Sequence, residues 1–197
     1  MIAYKGFTGN MWSKLGDHKK KNCSFKIGET KIVPNSKTAT EGFHCCENPF
    51  ECLAYYSFDG NNRFFLVDAA GDVDEDENER IACTKITLLE ELTPIRFAME
   101  GLIYIINHPQ REKWQQSHEN VQVKKDKAEA NGAGQIAVAR GENPQVRGPE
   151  GSILGLIIDR GGEILNAKLI KVNQQYANKW LSLTEEREVK IIEKSKN

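Results

Sequence analysis

Histidine and cysteine crowd into one short stretch of this chain. His44, Cys45 and Cys46 are consecutive, Cys52 follows closely, and Cys23 and Cys83 lie further out on either side. Thiolate and imidazole are the ligands zinc prefers. Cys23, His44, Cys46 and Cys83 form the set that separate strands would have to bring to one ion. No Cys-x-x-Cys pair is present, so no half-site is preformed; no metal is expected, and buried free thiols are the plainer role. On a strand His44 and Cys46 would share a face, as a Cys/His nucleophile pair requires. Neither an oxyanion motif nor an acidic orienter accompanies them. Asp72-x-Asp74-x-Asp76 opens like a calcium loop, but Glu77 stands where glycine is needed and Cys83 where a bidentate glutamate belongs. The run 72–79 therefore reads as a solvated acidic loop that offers a basic partner a docking surface.

Two basic clusters and one tryptophan are the partner-binding candidates. Lys19, Lys20 and Lys21 form the first cluster; Lys124, Lys125 and Lys127 form the second. Neither is interleaved with aromatic residues, which stacking on nucleic-acid bases would require. Trp114 sits in a charged stretch, so it either packs back on a core or anchors a partner. The 197 residues carry a formal net charge of -1, which gives no overall attraction to nucleic acid or anionic lipid. Five cysteines, two of them adjacent, argue against a disulfide framework. No apolar run approaches the length of a membrane helix, and Met1–Gly6 has no signal-peptide character. A cytoplasmic protein without a membrane partner is expected.

The elements that must position these residues are short strands. Ile2 to Phe7 reads as a strand, Ser24 to Val33 as a hairpin with Gly28 near its tip, and Gly42 to Cys46 as a buried strand feeding a helix. Asn48 caps that helix, Pro49 suits its first position, and Phe50, Leu53 and Ala54 give it an apolar face. Strands follow at Arg63 to Ala69 and Ile81 to Leu88. Thr93-Pro94 opens a second helix, stopped by Pro109. From Gln110 to Gly134 the sequence is polar and reads as a connector. Ile153 to Ile158 and Ile164 to Val172 flank the hairpin signal Asp159-Arg160-Gly161-Gly162. Lys179 to Leu183 and Val189 to Ile192 form a last hairpin. The Ala/Gly spacing in 131–151 hints at one or two solenoid-like rungs. The fold class expected is α+β. An N-terminal mixed sheet with one or two helices (1–108) precedes a polar connector (109–130) and a small antiparallel β piece (131–197).

Tyr4-Lys5-Gly6-Phe7, Cys23, Phe25-Lys26-Ile27-Gly28, Gly42-Phe43-His44, Cys46, Asn48-Pro49, Tyr55-Tyr56 and Ile81 to Ile86 occur in an order that resembles a family of phage and prophage proteins of unassigned function. That resemblance implies a bacterial host cell and an accessory role. Such a protein would bind a host protein or nucleoprotein complex, for instance to inhibit a host defence system, with direct nucleic-acid contact left open. The N-terminal half is more distantly similar to ADP-ribosyltransferase folds. That likeness implies the alternative, an NAD-dependent transferase or a degenerate relative. Lys5 and His44 would sit near the NAD cofactor, Tyr55 or Tyr56 would stack on nicotinamide, and Glu77 or Glu79 would be the catalytic carboxylate. Of the two, the non-catalytic binder without a cofactor is the expected one.

Overall fold

The computed structural model describes residues 1–14, 25–38, 40–75 and 80–192. It is built almost wholly of strands: 51% of the chain is strand and 11% helix. The expected α+β class is therefore overturned. The chain divides into two units, Met1–Thr93 and Pro94–Asn197. The expected boundary lay further on, after residue 108, and the long helix goes with the second unit.

Unit 1 is a closed antiparallel barrel, where a mixed sheet with helices was expected. Its strands are β1 (Ile2–Thr8), β2 (Thr30–Ile32), β3 (Phe43–Cys46), β4 (Asn62–Glu75) and β5 (Arg80–Glu91). β1 pairs with β3 and β4, and β5 also pairs with both, so the four close on themselves; β2 adds to β5 as an edge. All these pairings are antiparallel. Closure suits the residues. Alternate positions of each strand point inward, and most are apolar: Ala3 and Phe7 on β1 with Lys5 between them, Phe43 and Cys45 on β3, Phe65 and Val67 on β4, Ile86 and Leu88 on β5. Phe7 packs against Phe25 and Phe65, with ring centroids 4.9 and 5.5 Å apart. Two local expectations change. Residues 25–33 form no hairpin of their own; Thr30–Ile32 pairs with Lys85–Thr87, and Ile27 bridges Leu88. Asp72 to Glu75, expected in a loop, continue β4. Ser36 and Thr38 satisfy the Asp72 and Asp74 carboxylates from outside the sheet, which is how an acidic run survives within a strand.

Unit 2 begins with α1 (Pro94–Asn107) and continues with β6 (Gln116–His118), β7 (Val121–Glu129), β8 (Ile136–Arg147), β9 (Ile153–Arg160), β10 (Glu163–Lys171), β11 (Leu181–Leu183) and β12 (Val189–Ile191). The stretch 109–130, expected as a connector, thus carries β6 and β7. The sheet is mixed where an antiparallel one was expected: β7, β8 and β9 run parallel. Parallel neighbours ordinarily need a crossover of a dozen residues or more. Here only residues 130–135 separate β7 from β8. The chain manages it by coiling. β7 turns at Asp126 (φ 59°) and β8 beside it at Gly141, where a Cβ would lie 2.0 Å from the Asp126 carboxylate. The connections stack as well, with Gly134 N donating to Gly151 O at 2.9 Å. The result is a short stack of rungs, of the kind the Ala/Gly spacing in 131–151 hints at. Ala137 and Ala139 face inward with Leu154 and Leu156. On the outer face Gly155 lets Leu102 of α1 approach, since a Cβ there would meet its Cδ1 at 3.2 Å.

Candidate functional site

The β1–β3 seam is the weak line of the barrel. β1 is paired along its whole length with β4, from Ile2↔Asp68 to Thr8↔Asn62, but with β3 only at Tyr4↔Cys46. Continued antiparallel pairing would set Gly6 opposite His44. Instead the strands part, and the Lys5 side chain takes up the carbonyl left facing the gap: its Nζ donates to His44 O at 2.5 Å and to Ser13 Oγ at 3.3 Å.

A short 3₁₀ helix, Pro49–Ala54, lies against the opened seam. Asn48 caps it, its side chain accepting from Phe50 N, and Pro49 stands at its start. This matches the cap chemistry read from the sequence. Cys52 Sγ contacts Tyr4 O at 3.5 Å and ties the helix to β1. The Tyr56 ring lies flat on Gly6, where a Cβ would come within 2.4 Å of its Cδ2. The Tyr56 hydroxyl accepts from Lys14 N at 2.6 Å, and Lys14 Nζ donates to Tyr55 O at 2.7 Å. Ser13 and Lys14 are thereby strapped across the seam.

Between these elements is a partly open cavity of about 70 Å³. Lys5, His44, Cys46, Tyr55 and Tyr56 all line it, so the structure brings together five of the candidate residues. Tyr4, Gly6, Ser13, Cys45, Cys52 and Arg80 complete the wall, and no carboxylate is among the lining residues described. Lys5 is 4% exposed and His44 7%. The backbones of Lys37 and Gly42 lie near the imidazole, yet neither ring nitrogen has a hydrogen-bond partner among the described residues. Burial is the main cause that lowers the affinity of both groups for a proton. For His44 a charge on the neighbouring Lys5, when present, acts in the same direction; for Lys5 the surrounding thiols oppose it. At neutral pH the pocket therefore holds an uncharged imidazole and an amine that is costly to charge.

The thiols form two pairs. All four are free: a hydrogen bond with Cys52, together with burial, pushes the Cys46 thiol up, and a hydrogen bond with Cys83 in the barrel interior does the same for Cys45. Cys46 stays a thiol, which weighs against a Cys/His nucleophile. Among the described residues no three His, Cys, Asp or Glu side chains converge on a metal position. Of the zinc candidates, His44 and Cys46 share the pocket, Cys83 belongs to the barrel core, and Cys23 lies outside the described residues.

The remaining candidates are elsewhere. Glu77, Glu79, Lys19, Lys20 and Lys21 lie outside the described residues. Trp114 packs back within unit 2, its ring 4.9 Å from the Arg140 guanidinium. Lys124, Lys125 and Lys127 are exposed on β7 where the coil turns, and Lys127 Nζ sits 4.0 Å from the centroid of the Trp180 ring. The sequence reading missed Ser13 and Arg80. Arg80 had a faint signal in its place at the start of a strand, opposite Cys46 in the final register; Ser13 had none. No helix among the described residues is long and apolar enough to cross a membrane.

No curated protein and no solved structure matches the chain. A family model does match, over residues 1–100, which takes in all of the barrel unit and with it the seam pocket. The chain belongs to the family defined by DUF7666, a domain of unknown function.

Proposed function

We propose that this chain is a phage or prophage accessory protein that acts in the cytoplasm of the bacterial host by binding a host protein or nucleoprotein complex, so as to inhibit a defence system, without a cofactor. The observation that carries the reading is the exposed apolar edge of unit 1. β2 pairs with β5 on one side, and its other edge carries no strand among the described residues. Along the same stretch of β5 stand Ile32 at 73% exposure, Ile27 at 58% and Leu89 at 40%. A free strand edge beside large apolar side chains is costly in water and is the arrangement to which an extended segment of another protein adds. A photocrosslinker placed at Ile32 in bacterial lysate should give a discrete product that Ile27→Lys and Leu89→Lys abolish. A diffuse smear, or a product indifferent to those changes, would sink the reading.

One observation favours the transferase alternative: Lys5, His44, Tyr55 and Tyr56 line a single cavity. Against it, the cavity of about 70 Å³ is roughly half the size of one that holds benzene. No carboxylate faces it from the described residues. Incubation with labelled NAD should release no nicotinamide. Release abolished by Glu77→Gln or Glu79→Gln, with the fold retained, would reverse the ranking.

A further inference from the structure

We propose that the seam pocket is a carbonyl-binding site, in which the Lys5 amine condenses with the aldehyde end of a slim ligand to form an imine. The inference is independent of the β2 edge.

It starts from how the Lys5 nitrogen is satisfied. Two acceptors face it, His44 O at 2.5 Å and Ser13 Oγ at 3.3 Å, and both are ordinary dipoles. No carboxylate lines the cavity among the described residues, and the other neighbours are the thiols of Cys45, Cys46, Cys52 and Cys83 and the Phe7 ring, its centroid 5.2 Å away. A neutral amine fits these surroundings. Its two N–H bonds match the two acceptors, and the lone pair is left over in a side chain that lines the cavity. An ammonium would bring a full charge and a third N–H into a site 4% exposed to solvent. Burial, which makes the amine harder to protonate, acts in the same direction.

His44 supplies what the amine lacks. His44 lines the same cavity, is 7% exposed, and has neither ring nitrogen hydrogen-bonded among the described residues. An uncommitted neutral imidazole can take a proton on one nitrogen and return it. The cavity, about 70 Å³ and partly open, admits on the order of three to five non-hydrogen atoms, with the rest of a ligand outside. An unbranched aldehyde terminus meets that limit.

The step balances without any further reactant. The nitrogen lone pair forms a bond to the carbonyl carbon, and the C=O π pair moves to oxygen. One amine proton passes through the imidazole to that oxygen, giving a carbinolamine. The nitrogen lone pair then forms the C=N bond as the C–O bond breaks. The second amine proton leaves with the departing hydroxide, so one water is released and nothing is oxidised or reduced.

The test uses the wild-type protein, acetaldehyde and cyanoborohydride, with peptide mass spectrometry to locate reduced adducts. Exposed Lys26 and Lys85 serve as internal references. At pH 7 Lys5 should be modified at least about tenfold faster than either, since each unit by which an amine's pKa falls raises its free fraction tenfold. Its rate should also level off at a lower pH than theirs. Modification of Lys5 no faster than that of Lys26 and Lys85, or a pH profile parallel to theirs, would overturn the proposal.

Discussion

Among the described residues each unit buries one long cationic side chain, and the two are housed in opposite ways. Arg140 in unit 2 is 3% exposed. Its Nε and Nη2 reach Asp159 Oδ2 at 2.6 Å, Nη2 also donates to Pro109 O at 2.5 Å, and Trp114 covers the guanidinium. Asp159 spends its other oxygen on Gly162 N at 2.7 Å. The charge is therefore matched by a charge, and each group fixes a neighbour: the loop after α1, the β9–β10 turn, the tryptophan. Lys5 in unit 1 is as deeply buried and meets only a carbonyl and a hydroxyl. A buried pair left half-intact is strongly destabilising, whereas an amine that can shed its proton is not. Arg140 therefore serves to hold structure, and Lys5 is free to serve chemistry.

The largest effect that sharpens this contrast is on stability. Arg140→Met leaves the partly buried Asp159 without its partner and should cost about 3 kcal/mol in urea unfolding. Lys5→Met removes an uncompensated group of similar length and should change stability by less than about 1 kcal/mol. Equal losses from both would break the comparison. Next comes Gly6→Ala, whose Cβ meets the Tyr56 ring at 2.4 Å. Lifting that ring from the strand should cost about 1–3 kcal/mol by thermal unfolding, and a neutral result would mean that the seam is not closed by Tyr56.

A smaller effect appears in alkali. Because burial lowers the folded-state pKa of Lys5 below its unfolded value of 10.5, the unfolded chain binds more protons between the two values. Stability of the wild type relative to Lys5→Met should therefore rise as pH increases towards 10.5. A flat difference would mean that Lys5 stays charged throughout. The smallest effect is in mild acid. His44 is likewise lowered from 6.5, so its burial should cost stability as pH falls below that value. His44→Phe should flatten this part of the profile, and an unaltered acid limb would show that the imidazole already has a partner for its charged form.

Local signals were readable where one residue type has one physical use. Asn48-Pro49 marks the helix start in sequence and in structure, and Pro94 opens α1 as expected. Ile153 to Ile158 reads as a buried strand and is one. Which strands pair was not readable, because alternation says which face is inside and nothing about the neighbour. β5 meets β2, β3 and β4, and only the register reveals a barrel. β7 escaped because Lys124, Lys125, Asp126 and Lys127 are all exposed where the coil turns, so its buried Val121 and Val123 look isolated. The continuous apolar run in β9, buried on both faces, is the mark of a parallel strand, and the adjoining Asp-Arg-Gly-Gly hairpin signal masked it. The candidate site was partly legible. Lys5, His44, Tyr55 and Tyr56 came from a family likeness, while the parted seam that gives Lys5 its position arises from a missing strand pairing, which no residue type announces.

The stacked rungs of unit 2 make its length adjustable. Val121 lies beside Ile136, fifteen residues on, and Ile136 beside Ile153, seventeen residues on, with the connections stacked in step. A coil of this kind meets each new turn with the same hydrogen-bonding edge, while α1 and the β9–β10 hairpin stay at their places against the last turn. Whole-turn insertions within Asn131–Gly134 therefore keep the inward pattern of the coil, whereas an insertion of a few residues throws the inward alanines out of register. Indels in this segment should be tolerated better in multiples of a turn than in lengths of a few residues.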